Sequence, residues 1–291
     1  MFKNKNQTSR HGSGQEGLGH VVLILAVVVV AVVGLAGWRV FGAKTNKAAD
    51  ANQTSSSQAS KSGEKVTWLQ TENGWTHTGN LPACPDPINL PVDINKVTSI
   101  LYPGQYRGGE YKPHGGFRFD NETSNNVTIS APFDAEIVRG AHYSVGGDPQ
   151  YVFDFIAPCG YMYRLGHLLT LSPKLKAIAD ELPVNSEGDS HDTQINPYVE
   201  FKAGETIATA TGITKNGSGI GGINVFVDWG VYDLRSKNKA SEDPTWAAKH
   251  TADTETHALC WFDLLSSENE AKVRALPPAD GQSGKTSDYC K

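Results

Sequence analysis

An uncharged run of 18 residues, Val21 to Trp38, consists mainly of Val, Leu, Ile and Ala. A segment with no polar face must be buried on every side, and its length matches the ~30 Å of hydrocarbon in a bilayer. One transmembrane helix within residues 20–41 is therefore expected. Lys3, Lys5 and Arg10 precede the run, with Glu16 among them, and Arg39, Lys44 and Lys47 follow it. Positive charge on both flanks barely orients such a span. The cysteines decide the matter: Cys84, Cys159, Cys260 and Cys290 all lie after the run, and an even count after a span suits an oxidising compartment. Residues 1–19 are then a cytoplasmic tail, and the large C-terminal part is extracytoplasmic. A cleaved signal peptide has an apolar region of only ~7–15 residues, whereas Trp38-Arg39 suits an interfacial anchor, so an uncleaved single-pass anchor in the cell membrane is expected.

Residues 42–65 are rich in Ser, Gln, Asn, Ala and Lys and show no apolar period, so they read as a flexible tether. A coil of that length holds its domain about 25–30 Å from the bilayer. The folded domain is expected over 66–291. Its glycines, Thr, Val and Tyr favour strands and turns, and a net charge of -5 without long basic runs argues against a nucleic-acid partner. Strand-like runs occur at Val97–Leu101, Gly116–Phe119, Val127–Ser130, Glu136–Gly140, Tyr151–Ile156, Tyr161–Leu165, Thr206–Ala210 and Asn224–Tyr232. Two short helices are expected. Ser172-Pro173 opens the first, which Pro183 ends; Ser267 with Glu270 opens the second, in a C-terminal extension, before Pro277-Pro278. The polar stretch from Asn185 to Pro197, with Glu187, Asp189, His191 and Asp192, reads as a solvated insertion loop.

Four segments, in order, resemble the lysostaphin/LytM-type zinc metallopeptidases, whose members cut peptide bridges in bacterial peptidoglycan. They are PHGGFRFD (Pro113–Asp120) with ISAPFDAEIVRGA (Ile129–Ala141), then YMYRLGHLLTLSP (Tyr161–Pro173), then VEFKAGETIATATG (Val199–Gly212), and last NVFVDWGVYD (Asn224–Asp233). The resemblance implies a mostly β fold, a sandwich or barrel-like hybrid with a groove across one sheet. It also implies a zinc ion held by an H-x-x-x-D pair and by the second histidine of H-x-H.

This chain departs from that pattern. His114 takes the first ligand position, but Arg118 stands where the aspartate belongs, and a guanidinium has no lone pair for a metal. Phe226 and Asp228 stand at the two H-x-H positions, and His167 keeps the other catalytic-histidine place. No metal, cofactor or catalytic residue is then expected, and His114, Arg118, His167, Phe226 and Asp228 line a vestigial groove. Arg118 and Asp228 are expected to form an ion pair where zinc would sit. His114, His167, Trp229 and Arg107 are the ligand-binding candidates, while Arg107, Glu110 and Lys112 read as rim charges.

Three functions follow from these departures. The first is a membrane-anchored, inactive peptidase-like domain that binds peptidoglycan or regulates a cell-wall hydrolase. The second is an active zinc endopeptidase using His114, Asp120 and Asp228. The third is a structural or adhesion module of a surface appendage. Four cysteines allow three pairings, of which Cys84–Cys159 with Cys260–Cys290 is favoured because the latter pins the C-terminal tail.

The full chain is expected to stay in the membrane pellet after alkaline carbonate washing, with its C-terminal domain open to protease added outside intact cells. Release into the wash, or a protected domain, overturns the anchor or its orientation.

Overall fold

A computed structural model describes residues 65–72 and 74–291. The expected tail, membrane span and linker lie outside the described residues, apart from Lys65, whose Nζ is 2.6 Å from Glu136 Oε1. Among the described residues no helix is long and apolar enough to cross a membrane.

The described chain is mostly β. β1 (Trp68–Thr71) and β2 (Gly74–His77) form a separate hairpin. β3 (Ser99–Leu101) precedes a second small hairpin of β4 (Gln105–Arg107) and β5 (Glu110–Lys112). β6 (Gly115–Arg118) and β7 (Ile129–Ser130) are short, whereas β8 (Ala135–Val145), β9 (Asp148–Ile156) and β10 (Tyr161–Leu171) are long. Gly146 and Gly147, both with positive φ, close the β8–β9 hairpin, as a two-residue turn with matching twist requires. Helix α1 (Pro173–Ala179) follows, then β11 (Val184–Glu187), β12 (Thr193–Phe201), β13 (Thr206–Thr211) and β14 (Phe226–Asp233). α2 (Pro244–Ala247), α3 (Asp253–His257) and α4 (Ser267–Ala275) complete the chain.

The main sheet is open and runs β11-β8-β9-β10-β14-β6-β3. β12 also pairs with β8, and β13 joins β10 to β7. Strand alternation separates its two faces. Ile137, Phe153, Phe155, Tyr163, Leu165, Val227, Trp229 and Val231 point into the principal core and are 0–1 % exposed. The other face carries Arg139, Asp154, Arg164, Gly166 and Asp228, and at one end an apolar patch of Val138, Ile156, Met162 and Tyr232 covered by Trp68.

Several expectations change. Four short helices occur rather than two: α1 and α4 are the expected pair, capped by Ser172 and, one residue before the expected Ser267, by Ser266, while α2 and α3 are too short to show an apolar period. The stretch 185–197 keeps Glu187 and His191 exposed, as expected, but it is not all loop. Its ends enter β11, parallel to β8, and β12, antiparallel to β8, and Asp192 is drawn to Arg139 and Arg164. Polar side chains hid these strands because an edge is recruited by backbone hydrogen bonds, which composition does not record.

The disulfides are Cys84–Cys159 and Cys260–Cys290, the favoured pairing, and they suit an oxidising, extracytoplasmic domain. The second closes 30 residues and ties the C-terminus beside the 3-10 turn at Trp261–Leu264. Replacing Cys260 and Cys290 together by serine is expected to cost about 3 kcal/mol, or about 6–12 °C in Tm, read from thermal melts of the two proteins. An unchanged melt shows that this loop is held without its bridge.

Candidate functional site

β6 and β14 pair with Gly116 opposite Asp228 and Arg118 opposite Phe226. Residues directly opposite share a face, as do residues two apart, so His114, Arg118, Phe226 and Asp228 all belong to the polar face. The strands touch closely there. A Cβ built on Gly116 would lie 2.5 Å from Val227 O and 3.2 Å from Asp228 Cα, so this position admits only glycine without a shift. His114, one turn of the pleat away, places Nε2 3.1 Å from Asp228 Oδ2. Arg107 holds it from behind, donating from Nη2 to the His114 carbonyl (3.0 Å) and from Nη1 to the Tyr102 carbonyl (2.6 Å).

His167 arrives by a different route. Plain alternation would send it to the core with Tyr163 and Leu165. Here β10 leaves β14 after Gly166 and pairs with β13 from Leu168, with a register shift against β9 between Leu165 and Leu168. His167 sits in that irregularity with φ 59°. A β-bulge re-aims a side chain, and a non-glycine residue in this region carries strain that its surroundings must hold. The imidazole consequently faces the polar side, with Nε2 3.5 Å from Asp228 Oδ2 and its ring 4.5 Å from that of Phe226.

The His167 tautomer follows from its other nitrogen. Gln150, buried on β9, donates from Nε2 to the Gly212 carbonyl (2.9 Å), which turns its Oε1 toward His167 Nδ1 at 3.0 Å. An amide oxygen only accepts, so Nδ1 carries the proton and the neutral ring presents a lone pair at Nε2. Burial lowers the His167 pKa, opposed by Asp228 and reinforced by His114 and Lys112, so the neutral ring prevails at neutral pH. Burial alone would raise the Asp228 pKa. The His114 charge and hydrogen bond, then His167 and Arg107, outweigh it and hold the carboxyl well below the usual carboxylate range.

These three side chains, each about a fifth exposed, line a cleft of about 270 Å³ with Glu110, Lys112, Tyr143 and Arg164. A neighbouring cleft of about 380 Å³, walled by Tyr111, Arg139 and Asp192, adjoins it, with Lys112, His114 and Arg164 lining both. A larger recess of about 630 Å³ lies by Trp246, Asp263 and Tyr289 and holds none of the groove histidines.

Other expected site residues go elsewhere. Arg118 does not pair with Asp228, although it shares its face. Its Nη2 donates to Asn224 Oδ1 (2.6 Å), its Nε lies 3.3 Å from Asp120 Oδ1, and it covers the Phe226 ring. Asp120 also accepts from Thr98 Oγ1 (2.7 Å), which leaves it outside the His114–Asp228 cluster. Trp229 is no ligand platform: it faces the core, fully buried, stacked on Phe117 and 4.4 Å from Trp261. Arg107 is a support beneath His114 rather than a rim charge. Sequence reasoning passed over Gln150, Arg139, Asp154 and Arg164. A charged residue inside an apolar strand, Asp154 in YVFDFI or Arg164 in YMYRLG, was the available signal, since such a group is buried only when paired.

The zinc set implied by the resemblance does not fit these residues. The second ligand position is a guanidinium engaged with Asn224, and the nearest carboxylate is turned to Thr98. Among the described residues no group of three or more His, Cys, Asp or Glu is arranged to hold a metal ion. No family model, curated protein or solved structure matches the chain.

Two pH effects on stability follow. A carboxyl whose folded pKa is depressed stabilises the fold above its unfolded value, near 3.9, and that stability drains away as pH falls further. For His167 the folded ring binds its proton more weakly than the unfolded one, so stability declines as pH drops through about 6.5. Urea unfolding between pH 3 and 8 is expected to show both slopes. Asp228→Asn should flatten the acid one and His167→Gln the one below neutrality; unchanged slopes refute the assignment.

Proposed function

We propose that the chain is a membrane-tethered, extracytoplasmic peptidase-like domain of lysostaphin/LytM-type architecture that binds peptidoglycan peptide in its groove without cleaving it. One observation carries this reading: the cleft is open, but its central carboxylate, Asp228, is held by His114 at 3.1 Å while Arg118, at a ligand position, is engaged with Asn224. Hydrolysis needs an activated water and an acid-base group poised over the scissile carbonyl. At the position of one such imidazole stands Phe226, which packs on His167 and offers no proton. Binding needs less: an open groove, a fixed arrangement of donors and acceptors, and a position outside the membrane. The two disulfides support the compartment, and the resemblance supplies the substrate class.

The full chain, purified in detergent, is expected to sediment with isolated peptidoglycan sacculi and to release no soluble peptide from them, with or without added zinc. His114→Ala should weaken sedimentation by about tenfold. Release of peptide dependent on zinc and on His114 would make it a peptidase. Failure to sediment with sacculi would remove the wall as its ligand.

A further inference from the structure

The recess of about 630 Å³ beside the Cys260–Cys290 bridge lies outside the peptide groove. Ala258, Leu259 and Leu264 give it apolar walls, and Trp246 and Tyr289 line it as well. The Trp246 indole is fixed by the protein itself. It packs on the buried His250 with centroids 4.4 Å apart, and its Nε1 donates to Asp288 Oδ2 at 2.7 Å. Three carboxylates also line the recess, and each is held through one oxygen. Asp243 Oδ1 accepts from the Thr245 backbone N–H at 2.7 Å, Asp263 Oδ1 accepts from Arg274 Nη2 at 2.5 Å, and Asp288 Oδ2 accepts from Trp246 and from the Tyr111 hydroxyl at 2.8 Å. Among the described residues no hydrogen bond reaches the second oxygen of any of the three. Lys239 and Lys291 share this lining.

Several fixed acceptors call for several donors, and the apolar walls with their indole call for an apolar face on the same ligand. An anion is repelled by the carboxylates, and an apolar chain desolvates them without giving them partners. A cationic side chain brings its charge against the two lysines. A pyranose ring meets both demands. Its hydroxyls donate to ionised carboxylates in charge-assisted bonds, and its C–H face lies on an aromatic ring whose electron-rich face attracts those hydrogens. A lysine ammonium can donate in turn to the carbonyl of an acetamido substituent. The volume falls within the roughly 300–1,000 Å³ of small-molecule sites, room for a short run of sugar units. We propose that this recess is a second binding site, which takes the N-acetylated glycan strand of the wall. The inference rests on the wall-binding reading above and extends it from peptide to glycan. Position supports it: Tyr111 lines the cleft beside His114 and bonds Asp288 in the recess, so the two sites share a wall, as binding one polymer of peptide and glycan requires.

The test follows the six indole N–H signals of the full chain in a detergent without a sugar head group, with Trp246 assigned from Trp246→Phe. On titration with tri-N-acetylchitotriose, the Trp246 signal is expected to move saturably while those of Trp229 and Trp261, buried in the core, stay in place. This readout uses the unmodified protein and is independent of any variant's folding. Asp263→Asn should weaken the binding by about tenfold, through loss of a charged acceptor. Trp246→Phe, which keeps an aromatic face, should weaken it less than Trp246→Ala. Triarginine at the same concentrations should leave the Trp246 signal unmoved. Absence of a saturable shift with the sugar, an equal shift with triarginine, or undiminished affinity in Trp246→Ala overturns the inference. If sacculi sediment the protein while the sugar leaves Trp246 unmoved, this inference fails and the peptide reading stands. Movement of Trp246 by the sugar in a protein that sacculi do not sediment upholds the sugar site and removes the wall as its source.

Discussion

Side chains alternate across a strand, so a slip of one residue between β6 and β14 would turn either Phe117, or Val227 and Trp229, out of the core and bring Arg118 or Asp228 in. Phe117 stacks on Trp229 with centroids 5.6 Å apart, and Trp261 packs on both. All three are fully buried. Losing one such aromatic from a core costs about 3–5 kcal/mol, and exposing it while burying a charged group costs far more. The register is therefore set from the core side. Gly116 then meets Asp228, His114 falls within reach of the carboxylate, and Arg118 lies beside Phe226. The geometry of the polar face is thus a consequence of packing on the opposite one.

A second restraint keeps that face open. Asp154 is 1 % exposed and lies between Arg139 (2.7 Å) and Arg164 (3.1 Å), and both guanidiniums also reach toward Asp192. Burial would weaken the hold of Arg164 on its charge, but Asp154 and Asp192 outweigh it. Removing one member of such a network strands a buried charge, at a cost of about 3–5 kcal/mol. Because the guanidiniums are tied down by their own partners, they form a wall of the groove without closing it. Asp192 comes from the turn between β11 and β12, so the same ion pairs pin the polar edge segment to β8.

His114, Gly116 and Asp228 could be placed on one face by counting residues along two strands, because those strands are regular. His167 reaches the same face only through a bulge at positive φ, where β10 changes partner, and no periodicity announces such a break. The Arg118 partner was misread for a related reason. Asn224 precedes β14, and its side-chain oxygen lies within 2.6 Å of the guanidinium, nearer in practice than the carboxylate two residues past Phe226. The strands β11 and β12 were invisible because they are polar, and Trp229 was legible only once the parity of Asp228 was known. Regular alternation is readable from sequence; irregularity, edge recruitment and competition among polar partners are properties of the assembled sheet.

Charge balance connects these features to function. A carboxylate buried at the junction of two strands must be compensated, and a dication is the usual means where imidazoles and carboxylates converge. In this chain the compensation comes from the protein itself: His114 in contact and Arg107 behind it. His167 reaches the same carboxylate from the other side at 3.5 Å, and its Nδ1 is held by the buried Gln150. The site therefore has its charge largely met from within the protein, a condition that selects by hydrogen-bond geometry more than by charge.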